Sequence, residues 1–278
     1  RLDGRHINIA AIWAGENLAT GRFVEMKKKY AEAVGIKMDI YHFENNVGEE
    51  ELINKISGLS ADGIIVELPL PEHLNRNKVL DSIPKEKDID MLSISAQEDF
   101  YDNRSKIFPP AVGALNILFE EYKIEPKGKT AAVFGQSILI GKPISHWLEQ
   151  NGAKVFRIDE NTENARELCL QSDIVISGVG KPNLINGDMV KDGAVVVDFG
   201  FAPIFKNLKD FKKIEGPRFA SRASREANRE KIKIAGDVDF DSVAPKSSLI
   251  TPVPGGMGPL VIASFLENAL KLYLSSAR

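Results

Sequence analysis

The chain has 278 residues, 43% of them hydrophobic and 27% charged, with a formal net charge of −3. This is the composition of an ordinary globular protein, and the small negative charge gives no reason to expect nucleic acid or an anionic membrane as a partner. Cys169 is the only cysteine, which excludes an internal disulfide, and no apolar run is long enough to cross a bilayer. We therefore expect a cytoplasmic protein of one large domain or two ordinary ones.

The first part of the chain alternates apolar, β-branched stretches with helical patterns. Strands are predicted at residues 6–13, 37–42 and 63–68, and helices at 22–34, 49–59, 75–83 and 111–122. Pro69 and Pro71 end the third strand, because proline cannot donate a hydrogen bond to a sheet.

The rest of the chain continues this alternation. Strands are predicted at 130–134, 154–158, 173–177, 194–198 and 232–235, and helices at 144–150, 164–171 and 260–274. Strands that alternate with helices at this spacing predict an α/β fold, with parallel sheets and helices on both faces.

Residues 201–233 form a basic segment, with ten Lys or Arg against four acids. One interpretation is a flap that attracts an anionic substrate. The other is a solvated surface excursion with a short helix near 221–231. We favour the second, since charge runs usually face water.

A glycine-rich turn, GQSILIGKP at 135–143, connects strand 130–134 to the next helix. Gly135 permits a tight reversal and a close approach to phosphate, and the amide groups at the start of a helix bind anions. Pro143 suits the first helical turn, where its missing amide hydrogen is not needed. The strand before the turn and the helix after it predict a dinucleotide-binding site.

Other residues at the ends of strands in this unit support the same interpretation. Asp159 follows the second strand, where dinucleotide-binding folds place an acid that accepts hydrogen bonds from the adenosine ribose. Gly178 and Gly200 follow later strands, at the edge where open α/β sheets bind ligands. No metal site is expected, because no paired ligand spacing links the four histidines, His6, His42, His73 and His146.

A series of ordered motifs resembles the methylenetetrahydrofolate dehydrogenase/methenyltetrahydrofolate cyclohydrolase family. The motifs are VELPLP at 66–71, KDID at 87–90, GQSILIGKP at 135–143, VDFG at 197–200, GDVDF at 236–240 and TPVPGGMGP at 251–259. The resemblance runs from about Ile7 to Leu274. The family's opening helix has no counterpart, so we expect a trimmed or variant start.

The resemblance implies two lobes, an N-terminal α/β catalytic lobe and a Rossmann-like cofactor lobe, with the C-terminal helix returning to the first lobe. The folate-binding domain would span 1–115 and 258–278, and the NAD(P)-binding domain 116–257. The implied reaction is oxidation of 5,10-methylenetetrahydrofolate with a nicotinamide cofactor, followed by hydrolysis of the methenyl product to 10-formyltetrahydrofolate. The family also implies a homodimer formed through the cofactor lobes.

The resemblance further implies the residues of the site. Lys27 falls at the family's catalytic lysine, Glu67 lies beside it, and Asp90 matches the acid that holds the pterin, where a carboxylate can accept from paired donors. Taken alone, Lys27 would be assigned to the surface, as part of a run of three lysines. Substrate contacts are expected from Phe23, Leu68, Pro69, Pro254, Gly255 and Gly258, and cofactor contacts from Gly135, Gln136, Ser137, Ile140, Gly141, Asp159, Gly178, Gly200 and Asp237.

Several positions depart from the family pattern. Phe23 replaces a tyrosine, which preserves stacking but removes the hydroxyl. Glu67 replaces a glutamine, and a carboxylate near Lys27 would raise the pKa of the lysine and make it a poor base. The loop 108–113 replaces a proline-cysteine loop of the family, and Val261 replaces a threonine of the family. Hydride transfer depends mainly on placing two carbons together, so cyclohydrolysis, which also needs proton movement, is the activity at risk.

The cofactor turn also departs from the pattern of the family's NADP-using members. They carry arginine where Gln136 lies, and His-Ser where Asp159 and Glu160 lie. The loss of a cation and the gain of acids favour NAD over NADP, because a carboxylate repels a 2′-phosphate.

Two alternative functions remain open at this point. The first is a dehydrogenase of the same two-lobe fold that acts on another substrate, such as a shikimate-type hydroxy acid. TPVPGGMGP argues against it. The second is a non-catalytic folate or nucleotide binder, suggested by Phe23, Glu67 and the altered loop, although the retained Lys27 and Asp90 argue for activity.

Overall fold

The computed structural model describes residues 6–205 and 232–276. It divides into two compact units, one formed by Arg1–Ile124 with Pro259–Arg278 and the other by Glu125–Gly258. Both units contain parallel sheets with helices, so the predicted α/β fold class is confirmed.

The first unit is built on a three-stranded parallel sheet in the order β2–β1–β3. Its strands are β1 (Asn8–Ala14), β2 (Lys37–Phe43) and β3 (Gly63–Val66), and its helices before the second unit are α1 (Leu18–Ala33), α2 (Glu49–Ser57), α3 (Arg76–Asp81), α4 (Ile94–Tyr101) and α5 (Pro110–Glu121). The sequence does not predict α4, because only Ala96 and Phe100 of this helix are buried and they form too short an apolar stripe.

The second unit is built on a five-stranded parallel sheet in the order β10–β7–β6–β4–β5. Its elements are β4 (Thr130–Phe134), α6 (Gly141–Gln150), β5 (Lys154–Ile158), α7 (Ala165–Leu170), β6 (Ile174–Ser177), β7 (Val195–Asp198), β8 (Ala202–Phe205), β9 (Ile232–Ala235), α8 (Phe240–Val243) and β10 (Leu249–Ile250). This alternation of strand and helix is the Rossmann-like arrangement that the sequence predicts.

One strand lies outside the sheet to which the sequence assigns it. The strand predicted at 232–235 is confirmed as β9, but it pairs antiparallel with β8 in a two-stranded ribbon and does not join a parallel sheet. The sheet edge beside β7 belongs to β10, whose two residues pair with Val195 and Val196. Two residues are too few to show a strand period in a sequence.

The last helix, α9 (Met257–Ser276), returns to the first unit and packs on its sheet. Ile262 and Phe265 of α9 join a core that includes Ile9, Val24 and Ile65. Burial of each such side chain contributes roughly 1.5–3 kcal/mol, so α9 is a substantial part of this core.

The first division of the chain lies after α5, between Ile124 and Glu125. The boundary predicted at 115/116 falls inside that helix. Helix α5 is buried along most of its length, from Pro110 to Phe119, which is why it stays with the first unit as a whole.

Three further sequence inferences concern features outside the site. Cys169 is fully buried in the hydrophobic core of the second unit, which agrees with the expected packing role. Burial raises the pKa of its thiol to about 12. In the described ranges no helix combines the length and apolarity needed to cross a membrane, and the cytoplasmic location stays a prediction. The helix predicted near 221–231, within the basic segment 201–233, lies outside the described residues.

Candidate active site

Three predicted catalytic residues of the first unit come together around one buried ammonium. Lys27 lies on the inner face of α1 and is 4% exposed. Its Nζ is 2.7 Å from Oε1 of Glu67, which follows β3 directly, and 3.7 Å from Oδ2 of Asp90. An ion pair with so little solvent around it is strongly coupled, because water does not screen the charges.

The same ammonium lies near two aromatic rings. Its Nζ is 5.0 Å from the ring centre of Phe23, one helical turn earlier on α1, and 5.5 Å from that of Phe265 on α9. Both distances suit a cation–π interaction. The sequence does not identify Phe265 as part of the site, because an aromatic residue on the apolar face of a helix is indistinguishable from ordinary core.

The neighbouring charges decide the protonation state of the lysine. Burial lowers the pKa of Lys27, but the charges of Asp90 and Glu67 and their hydrogen bonds outweigh that effect and raise the pKa above its usual value. Burial raises the pKa of Glu67, and the charge of Lys27 acts in the opposite direction. The cluster therefore holds an ammonium that can position and polarise a bound group but is a poor base.

The loop that carries Asp90 is fixed by a buried acid beside it. The carboxylate of Asp88 accepts hydrogen bonds from the amides of Leu92 and Ser93 at 3.2 and 2.8 Å, and from the Ser93 hydroxyl at 2.6 Å. Burial raises the pKa of Asp88, and these hydrogen bonds oppose the rise. The KDID motif thus contains two acids with different surroundings, one that shapes the loop and one, Asp90, that faces Lys27.

The expected substrate contacts are divided between the two units. Leu68 and Pro69 follow Glu67 directly, and Pro69 is exposed. Pro254, Gly255 and Gly258 belong to the second unit, so their contribution to the Lys27 site stays a prediction. Gly255 has a φ of +104°, a left-handed conformation that favours glycine.

In the second unit, the predicted cofactor residues lie at the carboxyl edge of the sheet. Gly135 follows β4, and its amide donates to the carbonyl of Ile158 at the end of β5. Asp159 is the next residue on that neighbouring strand. Gly178 follows β6 on the other side of β4, where its amide donates to the carbonyl of Phe134. The sheet thus brings Gly135, Asp159 and Gly178 side by side.

The turn between β4 and α6 has the shape that a dinucleotide requires. Gly135 has a φ of +83°, and a Cβ on Gly141 would overlap the carbonyl oxygen of Gly135, so both positions need glycine. Helix α6 begins without a side-chain cap, after Ile140, whose amide donates to Ser137 Oγ at 3.2 Å. The amide of Lys142 in the first turn of α6 donates to the carbonyl of Ser137, so the fit to a dinucleotide rests on the close backbone approach that Gly135 and Gly141 permit.

Two side chains near this turn bear on the choice of dinucleotide. The Gln136 amide folds back and donates to the carbonyl of Val133 at 3.0 Å. The exposed Asp159 is held in a local turn, where its Oδ1 accepts from the amide of Asn161 and the hydroxyl of Thr162, both at 3.0 Å. The position after β5 is therefore occupied by an ordered carboxylate.

The buried acid Asp237 binds the loop that follows β6. It is fully buried, and its carboxylate accepts hydrogen bonds from Ser177 Oγ and from the amides of Val179, Gly180 and Lys181 at 2.7–3.2 Å. All of these donors belong to β6 or the loop that follows it. Asp237 therefore holds the loop, and its contact with the cofactor stays a prediction.

A second buried acid, Asp198, lies at the end of β7. Its carboxylate accepts hydrogen bonds from the amides of Gly200 and Val238 at 2.7 and 2.9 Å. Burial raises the pKa of Asp198 to about 6. The amide of Gly200 is thus taken by Asp198, and a Cβ on Gly200 would overlap the Asp237 carboxylate. The sequence predicts Gly200 as a cofactor contact; in the structure its lack of a side chain makes room for Asp237.

No group of three or more His, Cys, Asp or Glu side chains in the described part of the chain is arranged to hold a metal ion. The candidate chemistry lies in the buried lysine–carboxylate cluster of the first unit and the glycine turn of the second.

A Rossmann-like sheet with this glycine turn, joined in one chain to a unit with a buried lysine–carboxylate cluster, defines a dinucleotide-binding dehydrogenase. Residues 1–90 match the tetrahydrofolate dehydrogenase/cyclohydrolase catalytic domain, and residues 109–277 match the NAD(P)-binding domain of the same enzymes. The chain belongs to the tetrahydrofolate dehydrogenase/cyclohydrolase family.

Individual relatives agree with this assignment over nearly the full length. The chain is 35% identical to bifunctional protein FolD 2 of Lactobacillus johnsonii, over 98% of this chain and 89% of that protein. It resembles the crystal structure of the bifunctional enzyme from Campylobacter jejuni with a TM-score of 0.83 and 33% identity, covering 99% and 90% of the two chains. The enzyme of Trypanosoma brucei, solved with NADP and an inhibitor, has a TM-score of 0.86 and 28% identity, covering 100% and 90%.

The shikimate-type alternative finds support only at the level of the fold. Shikimate dehydrogenase of Aquifex aeolicus has a TM-score of 0.53 and 15% identity, covering 99% of this chain and 95% of that one. Similarity at this level shows a common architecture and carries no information about substrate.

Proposed function

We propose that this chain oxidises 5,10-methylenetetrahydrofolate to 5,10-methenyltetrahydrofolate with NAD as the preferred acceptor, and that its cyclohydrolase activity is weak. The observation that carries the proposal is the buried cluster of Lys27, Glu67 and Asp90 in a member of the folate family. The first unit would bind the folate and the second unit the dinucleotide.

In this proposal the residues of the first unit bind and orient the folate. Asp90 accepts hydrogen bonds from the paired donors of the pterin ring, Phe23 stacks on the ring, and the Lys27 ammonium polarises the one-carbon bridge. When bound, the dinucleotide accepts the hydride that the methylene carbon loses. No proton leaves the methylene carbon, so a lysine held as ammonium does not impede this step.

The second step of the family reaction makes a different demand on Lys27. Water must add to the methenyl carbon and lose a proton, which calls for a group that can accept one. Glu67, at 2.7 Å, stabilises the proton on Lys27 and leaves it a poor acceptor. The geometry therefore supports oxidation, with hydrolysis reduced to the extent that it relies on Lys27 as the proton acceptor.

The preference for NAD rests on the turn after β4 and the end of β5. A 2′-phosphate needs a cation, and the Gln136 side chain is neutral and folded back on Val133. The ordered carboxylate of Asp159 suits two ribose hydroxyls and repels a phosphate.

We further propose a homodimer formed through the cofactor unit, as the family resemblance implies. Sedimentation would measure this oligomeric state.

The proposal is tested by following NADH formation from methylenetetrahydrofolate, with NADP as the competing acceptor and methenyltetrahydrofolate for the hydrolytic step. We expect kcat/KM to be higher with NAD, and Lys27→Ala to lose at least the hydrolytic step. NADP favoured by about tenfold, roughly 1.4 kcal/mol, would overturn the cofactor assignment. Binding of folate and NAD without turnover would support the non-catalytic alternative instead.

A further inference from the structure

We propose that Asn268, on the last helix, is a positioning residue for Asp90. Its Nδ2 donates to the carbonyl oxygen of Ile89 at 2.9 Å and to that of Phe108 at 2.7 Å. Ile89 immediately precedes Asp90, so this contact fixes the backbone that presents the carboxylate. The inference rests on the proposed function, in which Asp90 binds the folate.

The chemistry of the contact requires a side-chain amide. One nitrogen with two hydrogens satisfies two carbonyl groups from segments far apart in the chain, and buried carbonyls need such partners. Asn268 is 2% exposed, so water is poorly placed to replace it. An aspartate here has no hydrogen to donate and would bring its oxygens against two carbonyl oxygens.

Asn268 acts on one side of the Asp90 loop while Asp88 acts on the other. The Asp88 carboxylate holds the amides of Leu92 and Ser93, which follow Asp90 in the chain. Loss of the Asn268 contact would therefore release the loop only on the side of Ile89. That loss should move Asp90 without unfolding the loop.

The same face of α9 also reaches the lysine. Phe265 lies one turn before Asn268, and its ring centre is 5.5 Å from Nζ of Lys27. Helix α9 thus supports both charged groups, the ammonium through Phe265 and the carboxylate through the backbone before Asp90. Because both described hydrogen bonds of the Asn268 side chain go to backbone carbonyls, we expect its effect on a folate to pass through the loop.

The test compares Asn268→Asp with Ser264→Ala in steady-state kinetics. Ser264 is a matched control, since it is buried one turn earlier on α9 and lies against Gly113 of α5. We expect Asn268→Asp to raise the KM for methylenetetrahydrofolate about tenfold and to leave the KM for NAD within about twofold. Ser264→Ala should change neither constant.

A second variant and a double variant keep the test decisive. Asn268→Ser retains one donor and a small side chain, and it replaces Asn268→Asp if that protein does not fold. Combined with Asp90→Asn, either substitution should add little to the folate KM, because both act on the same contact. Equal increases in both KM values, or fully additive effects with Asp90→Asn, would overturn the inference. A wild-type chain without turnover would instead count against the proposed function.

Discussion

The ammonium of Lys27 lies 2.7 Å from a carboxylate oxygen of Glu67, and both side chains are almost completely buried. Where the family pattern has a neutral glutamine, this chain therefore has an anion in direct contact with the lysine. In the proposed function this contact separates the two activities, since oxidation needs a positioned cation and hydrolysis a group that can take up a proton.

The first prediction concerns that contact. Glu67→Gln removes one of the two anions around Lys27, so the pKa of the lysine should fall and hydrolysis of methenyltetrahydrofolate should rise relative to oxidation. We expect the ratio of the two rates to increase about tenfold, as for a restored general base. Glu50→Gln, at an exposed position on α2, serves as the control. An unchanged ratio would show that Glu67 does not limit hydrolysis.

The second prediction concerns the dinucleotide. Gln136→Arg combined with Asp159→Ser places a cation in the turn and removes the carboxylate that would face a 2′-phosphate. The ratio of kcat/KM for NADP over NAD should rise by about tenfold or more, about 1.4 kcal/mol of discrimination. Glu163→Gln, on an exposed site in the same loop region, controls for a general loss of negative charge. A ratio that stays constant would place the specificity elsewhere.

The third prediction concerns the loop after β6. Asp237→Asn keeps one acceptor oxygen but cannot accept all four hydrogen bonds that the carboxylate receives. We expect the KM for NAD to rise about tenfold while the folate KM changes little. Asp241→Asn, at an exposed position on α8, is the matched control. If both KM values rose together, Asp237 would be a general support of the fold.

Much of the fold follows from local patterns in the sequence. The bounds of β4 and β5 agree with the predicted ranges 130–134 and 154–158, because each is a short apolar run between turn residues. The two-residue β10 and the antiparallel pairing of β9 depend on distant partners, Val195 and Ala202 among them. The periodic pattern of apolar residues in a sequence gives no information about such pairings.

The site is less accessible to sequence reasoning because its members interact over long separations. Lys27 lies on the buried stripe of α1 with Val24 and Ala31, yet within a run of lysines it resembles a surface residue. Its partner Glu67 lies 40 positions away in the chain. Only the family resemblance brings the two together before the structure does, and it gives no indication of Asn268.

The last prediction concerns pH and the buried acid Asp198. Its pKa is about 6 in the folded protein and about 3.9 in an unfolded chain, so between these values the folded state binds more protons. The free energy of unfolding therefore falls as the pH rises from about 4 to 6. Below about pH 4 the stabilising contribution of Asp198 is fully present. Asp198→Asn cannot titrate and should lack this part of the slope, a difference of about 3 kcal/mol across the window.

The measurement is the difference in unfolding free energy between wild type and Asp198→Asn, from denaturant titrations at pH 4, 5, 6 and 7. The wild type should lose stability relative to the variant between pH 4 and 6 and not above. Glu67 and Asp88 also have raised pKa values, but they are present in both proteins and cancel in the difference. Asp192→Asn, with a side chain 88% exposed, should show no such window. A difference independent of pH would mean that Asp198 stays ionised in the folded protein, held by the amides of Gly200 and Val238 despite its burial.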